Sequence, residues 1–301
     1  MASNIKVTFL GTSAQIPTAK RNHTAMLLSY DGENILVDCG EGTQRQFRKA
    51  KLNPCKVTRI LITHWHGDHV LGLPGFLSTL ALSGYNKTLH IYGPKGTKKF
   101  VAEMLMVFGF KKKYDIQVED VEGRFYEGKD FFLSAEKMEH GIPTNAYCFV
   151  KKGLIRIDKA KLKKLKLPAG PHLRKLKEGK DISFEGKKYK AKDLVFGEMD
   201  KKVCFVLDTL ENKKIEKFAK DSDLLICESS FSHDLKEQAK EHLHLTAKQA
   251  GEIAKKAKAK KLVLTHISQR YEKNLKKLLD EAKKEFKNTF LADDLDSFEI
   301  N

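Results

Sequence analysis

The chain has 301 residues, enough for one large domain or two small ones, and no stretch approaches the roughly 18 uncharged apolar residues of a membrane span. Its opening, MASNIKVTFLG, runs into a strand pattern instead of a signal peptide, so a cytoplasmic protein without a membrane association is expected. A formal charge of +17 points to a polyanionic partner, because such a field attracts phosphate backbones and releases their counterions, although lysine-rich composition also accompanies adaptation to heat or salt.

In chain order, the apolar run Ile35-Leu-Val-Asp38 predicts a strand ending in aspartate, and the pattern from Gly42 to Ala50 predicts a helix. Ile60-Leu-Ile-Thr-His64 is a second strand, and residues 63–69 continue as THWHGDH. Apolar, Gly-punctuated Val70 to Phe76 and Leu77 to Leu82 fit either core or interface. Lys95 to Phe108 reads as a helix, and His140 follows a strand-like run. Residues 151–190 then hold fifteen Lys or Arg against four acids. Leu162, Leu165 and Leu167 give this stretch partly helical spacing, and Pro168-Ala-Gly-Pro171 forces a turn, so it is expected to project as a basic helix-turn arm. A solvated insertion with no partner is the plainer alternative.

The second half repeats features of the first. Phe205-Val-Leu-Asp208 parallels Ile35 to Asp38, and Leu262-Val-Leu-Thr-His266 parallels Ile60 to His64, which suggests two β-rich layers whose corresponding edges meet at one site. Helices are predicted from Thr246 to Lys258, where Thr246 and Gln249 suit a capping box, and from Glu272 to Phe286. The five cysteines, Cys39, Cys55, Cys148, Cys204 and Cys227, form no CxxC pair and are expected to be buried thiols, neither disulfides nor metal ligands.

Four ligand-type side chains within six positions (His64, His66, Asp68 and His69) mean metal chemistry, since a strand end and the following turn aim imidazoles and a carboxylate at adjacent ions. The HxHxDH spacing resembles the metallo-β-lactamase superfamily, which implies an α/β fold, an αββα sandwich, and a dinuclear zinc hydrolase. In the superfamily's order, His64, His66 and His140 hold one zinc and Asp68, His69 and His266 the other. Asp208 bridges them, and Asp38 orients metal-binding histidines.

Further motifs, spread over almost the whole chain, resemble the ribonuclease Z family of tRNA 3′-processing endonucleases. Pro17-Thr-Ala-Lys-Arg-Asn22 resembles its PxKxRN loop, Glu228-Ser-Ser-Phe231 its HEAT segment, His244-Leu-Thr246 its HST segment, and Thr265-His-Ile-Ser268 its last metal motif. The chain departs from the family in reading Cys-Glu-Ser-Ser for HEAT and His-Leu-Thr for HST, and in placing Leu207 before the bridging aspartate. The resemblance implies one metallo-β-lactamase domain over residues 1–301 with residues 151–190 as a flexible basic exosite. Two zinc ions per subunit, a homodimer, and precursor tRNA cut after the discriminator nucleotide are implied with it. His244 then supplies the proton to the leaving ribose oxygen, Glu228 orients it, and Asp68 belongs to the catalytic metal set. Lys20, Arg21 and Asn22 are suited to RNA contacts near the cut, and Lys163, Lys164, Lys166, Arg174, Lys175 and Lys177 to the exosite. A phosphodiesterase of the same fold acting on small substrates is the competing enzyme, and an RNA-binding protein on a decayed hydrolase fold is the competing non-enzyme.

Overall fold

The computed structural model describes residues 4–111 and 113–301. Two seven-stranded sheets carry most of the chain. In the first, the strand order is Ser297–Ile300, Ile5–Gly11, Ala25–Tyr30, Glu33–Val37, Arg59–Leu61, Leu89–Gly93, Ile116–Asp120. Its first three pairings are antiparallel and its last three parallel. In the second, Thr289–Leu291, Leu262–Thr265, Leu224–Glu228 and Lys201–Val206 pair in parallel, and Ile142–Lys151, Phe131–His140 and Gly123–Glu127 complete the order.

The sequence explains which strands lie where. Leu224-Leu-Ile-Cys and Leu262-Val-Leu are buried along their whole length, as parallel strands covered on both faces must be. Phe131–His140 instead alternates buried and less buried positions, the period of a strand with one wet face. The predicted helices appear slightly trimmed, as Thr43–Lys49, Thr97–Val107, Ala247–Lys256 and Leu275–Glu285. The capping box is present: Thr246 accepts from the Gln249 backbone N–H, while the Gln249 side chain accepts from the Thr246 N–H at 2.9 Å. The apolar stretch after Val70 is mostly core, since Leu73, Phe76, Leu77 and Leu80 of helix Leu73–Leu82 pack around Phe47 and Ile62. Leu71 and Leu82 remain exposed.

The duplication read from the sequence has a structural counterpart with one difference. Glu33–Val37 and Arg59–Leu61 are neighbours, whereas Lys201–Val206 and Leu262–Thr265 are separated by Leu224–Glu228. That intervening strand delivers Glu228 to the same sheet edge.

The chain forms two compact units. One comprises Met1–Glu127, Leu133–Phe149 and Lys202–Asn301; the other comprises Gly128–Phe132 and Val150–Lys201. The expected arm at residues 151–190 falls within the second unit, which is larger and more structured than a helix-turn. It contains helices Lys159–Lys164 and Leu173–Lys177, a hairpin of Ile182–Phe184 with Lys187–Tyr189, and a pairing of Ile155–Ile157 with Val195–Gly197. Leu162, Leu167, Leu176, Ile182, Ala191 and Leu194 give it a small core of its own, while Leu165 points outward. Lys163, Lys164, Lys166, Arg174, Lys175 and Lys177 are all exposed on it.

The cysteine expectation needs correction. Cys148 and Cys204 form a disulfide between the adjacent strands Ile142–Lys151 and Lys201–Val206, with Cα atoms 4.2 Å apart. Their separation of 56 residues hides a pairing that only strand register creates. Cys39, Cys55 and Cys227 are free thiols, the first and last of them buried.

Candidate metal centre and active site

The site assembles at the carboxyl ends of parallel strands. Asp38 follows Glu33–Val37, His64 follows Arg59–Leu61, and Asp208 follows Lys201–Val206. Glu228 closes Leu224–Glu228, and His266 follows Leu262–Thr265. Asp38, Asp208 and His266 all adopt positive φ, at 57°, 35° and 56°, a region unfavourable for residues with a Cβ. The turn after each strand therefore bends sharply enough to aim the side chain across the sheet edge. Close approach is required at Gly40 as well, where a Cβ would run into the Asp68 carbonyl.

Seven side chains converge as two neighbouring sets. His64, His66, His140 and Asp208 form one, and Asp68, His69 and His266 form the other; a third grouping of Asp208, His244 and His266 links them, and within each the candidate ligand atoms lie within 4.8 Å of one another. Asp208 joins them. Its Oδ2 lies 3.6 Å from His64 Nε2 and 3.5 Å from His140 Nε2, and its Oδ1 lies 3.2 Å from His266 Nε2 and 3.6 Å from His69 Nε2. Ligand atoms sharing a tetrahedral ion at bonds of ~2.0–2.1 Å stand roughly 3.3 Å apart, the spacing seen here.

The donor set fits metal ions on three further observations. His64 Nε2 and Asp208 Oδ1 are buried with no hydrogen-bond partner, an unfavourable state for two polar atoms unless a cation satisfies them. Nitrogen faces nitrogen at 3.2 Å between His69 and His266 and between His66 and His140, where a shared cation relieves the lone-pair repulsion. The far nitrogens are held in place: His69 Nδ1 donates to Asp38 Oδ2 at 2.7 Å, His140 Nδ1 donates to the Leu243 carbonyl at 3.1 Å, and His266 Nδ1 meets Ser230 Oγ at 2.8 Å. Asp38 is fixed in turn by the Thr63 backbone N–H and hydroxyl at 2.7 and 2.8 Å.

Electrostatics divide the candidate ligands: at His69 burial disfavours the charged form, but the Asp208 and Asp38 carboxylates outweigh it and raise the pKa well above the ordinary value, whereas two other rings shift the opposite way. Burial lowers the pKa of His64 well below the ordinary value, and His69 lowers it further. Burial and then His140 do the same for His66, so both rings favour the neutral form that a metal binds. Burial works against the charged form of Asp68, yet His266 and His69 hold its carboxyl far below the carboxylate range. Asp68 also accepts from the Gln15 backbone N–H at 2.9 Å.

Beside these sets lies a second buried device. Glu228 Oε2 accepts from His244 Nδ1 at 2.9 Å, and Glu228 Oε1 accepts from the Thr209 N–H at 2.7 Å. Burial disfavours protonation of His244, but the Glu228 and Asp208 carboxylates outweigh it and raise its pKa to about 9. Ser230 donates to Glu228 Oε2 at 2.7 Å while touching His266, so one hydroxyl ties the His244 pair to a candidate metal ligand. Sequence reading passed over Ser230, Thr63 and Thr209; only Ser230 carried a signal, a hydroxyl two positions after a strand-end glutamate.

Not every expected residue faces this centre. Arg21 is 4 % exposed, and its guanidinium donates to Thr12 Oγ1, the Ala292 carbonyl and Asp293. Asn22 donates through its backbone to Asp294 and through its side chain to the Glu41 carbonyl. These bonds anchor the loop that carries both residues. Lys20 is exposed.

Two sheets with candidate histidine and aspartate ligands gathered at their strand ends define the class: the chain has a metallo-β-lactamase fold. Its structure resembles that of the metallo-β-lactamase fold protein YhfI from Bacillus subtilis, with a TM-score of 0.73 and 19 % identity over 99 % of this chain and 100 % of that one. It resembles the short form of human tRNase Z equally well, with a TM-score of 0.73 and 27 % identity over 98 % of this chain and 99 % of that one. A family model described as Anti-Pycsar protein Apyc1 matches residues 5–121. The curated ribonuclease Z of Methanothermobacter thermautotrophicus is 40 % identical over 98 % of this chain and 97 % of its own length. The chain belongs to the ribonuclease Z family.

Proposed function

We propose that this metal-dependent endoribonuclease removes the 3′ trailer from precursor tRNA by cutting after the discriminator nucleotide, with two zinc ions held by the neighbouring sets. The observation that carries the reading is Asp208, whose two oxygens face separate histidine groups beside the His244–Glu228 pair. Bound there, two divalent ions supply an activated water and neutralise charge building on the phosphate. His64, His66 and His140 serve one ion, Asp68, His69 and His266 the other, and Asp208 both. Imidazole with carboxylate suits zinc.

The protein's own share of the chemistry falls to His244. Its raised pKa keeps it protonated at neutral pH, and Nε2 is left to donate because Nδ1 is committed to Glu228. A ribose 3′ oxygen leaves poorly unless protonated, so a cationic imidazole is the required acid. The products are a tRNA ending in a 3′ hydroxyl and a trailer beginning with a 5′ phosphate.

RNA affinity is assigned to Lys20 and to the exposed Lys163, Lys164, Lys166, Arg174, Lys175 and Lys177. A dimer fits the exposed apolar side chains Phe100, Met106, Val107 and Phe108 on and after helix Thr97–Val107. A cytoplasmic location follows from the proposed substrate. No helix among the described residues is long and apolar enough to cross a membrane.

The test is an end-labelled precursor tRNA mapped at nucleotide resolution with and without chelator. One chelator-sensitive cut after the discriminator, absent in His66→Ala, is expected. An uncut precursor alongside turnover of a small phosphodiester contradicts the reading and favours the smaller-substrate hydrolase.

A further inference from the structure

We propose that the cavity beside His244 is a nucleobase subsite that takes the base immediately upstream of the cut, so that the enzyme grips the discriminator by its π face. The inference rests on the ribonuclease reading above and on a feature that reading does not use. A cavity of about 280 Å³ is lined by Ile16, Phe231, His242, His244, Gln269 and Arg270, among others. That lies just below the ~300–1,000 Å³ of typical ligand clefts, which suits a single ring better than a length of chain.

Its wall has the chemistry of a base platform. The Arg270 guanidinium carbon lies 4.9 Å over the Phe231 ring centroid, and the His242 ring is parallel to Phe231 within 8° at 6.2 Å. Arg270 is held in this pose by Ser268 Oγ at 3.2 Å and Gln238 Oε1 at 3.4 Å. The Phe231 backbone is pinned as well, its carbonyl accepting from the Ala247 N–H at 2.8 Å, next to the capping box. Arg270, His242 and Gln269 are exposed, and Ile16 presents an apolar side chain at 51 % exposure to the same cavity. Planar cationic and aromatic groups stack on bases of any identity, and the Gln269 amide adds a donor and an acceptor.

His244 decides which base is meant. The same cavity reaches the imidazole that protonates the leaving 3′ oxygen, and that oxygen belongs to the upstream ribose. The upstream base is therefore the one brought to this wall, while the downstream nucleotide keeps the phosphate, which the water attacks from the face opposite the leaving oxygen. Platform recognition predicts that the enzyme accepts discriminator bases of any identity.

The test crosses two protein variants, Arg270→Ala and His242→Ala, both at exposed positions, with three precursor tRNAs: intact, abasic at the discriminator, and abasic at the first trailer nucleotide. Each variant is expected to lower kcat/KM on the intact substrate by about ten-fold, and likewise on the trailer-abasic one. On the discriminator-abasic substrate, where the stacking partner is already gone, the variants are expected to match wild type. Losses that persist undiminished on the discriminator-abasic RNA overturn the subsite, as do losses that vanish on the trailer-abasic RNA instead. Wild-type protein that leaves the intact precursor uncut contradicts the ribonuclease assignment itself, a result distinct from either.

Discussion

Glu228 and His244 form a buried hydrogen-bonded pair, Oε2 accepting from Nδ1 at 2.9 Å, and the carboxylate fixes both the tautomer and the charge of the imidazole. Under the proposed mechanism the acid form of His244 is the working form, so activity is expected to fall as pH rises through its pKa of about 9. Glu228→Gln removes the carboxylate that raises this pKa, and the alkaline limb of kcat is expected to move to lower pH, with the plateau reduced by about 10²–10⁴-fold. A pH–rate profile checks this. An alkaline limb that stays in place would assign it to another group.

In the proposed metal centre Asp38 would act on the metal through His69, whose Nδ1 it accepts from. Asp38→Ala leaves that ring without its 2.7 Å anchor, and metal affinity is expected to drop roughly 10–100-fold. Competition against a chromogenic chelator measures the change directly, and an unaltered affinity would make Asp38 a determinant of the strand-end turn alone.

Arg21 is buried, and its guanidinium donates to the Thr12 hydroxyl, the Ala292 carbonyl and Asp293. Arg21→Met strands the Thr12 and Ala292 oxygens and is expected to cost about 1–3 kcal/mol in urea unfolding, with the salt dependence of tRNA binding unchanged. Lys20→Ala is expected to do the reverse, sparing stability and flattening the salt slope by about one unit.

In the proposed function the second unit supplies affinity and no chemistry. Neutralising Lys163, Lys164, Lys166, Arg174, Lys175 and Lys177 together is expected to flatten the salt slope by roughly 0.7–0.9 for each phosphate the lysines and arginine had neutralised, while the cut position stays the same. Binding isotherms over a salt series decide the matter, and an unchanged slope would place the RNA surface elsewhere.

How much of this was legible in the sequence depends on whether an interaction is local. His64, His66, Asp68 and His69 declared themselves because strand and turn periodicity confine them to one edge. His140, Asp208 and His266 are silent alone and become ligand candidates only in the family's order, yet the fold brings all seven side chains together. The helix cap at Thr246 was readable because its partners are three residues apart. The Cys148–Cys204 disulfide, the Arg21–Asp293 ion pair and the Ser230–His266 contact were not, since each joins segments 36 to 272 residues apart through strand placement alone. The burial of Arg21 was not legible for a general reason: a guanidinium suits a phosphate and a buried carbonyl equally well, and sequence alone does not distinguish them.

The central claim is that one carboxylate, Asp208, joins two metal positions. Anomalous diffraction at the zinc edge from metal-loaded crystals tests it most directly. The account predicts two peaks flanking Asp208, one within bonding distance of His64, His66 and His140 and the other of Asp68, His69 and His266. A single peak, or density away from either set, would contradict it.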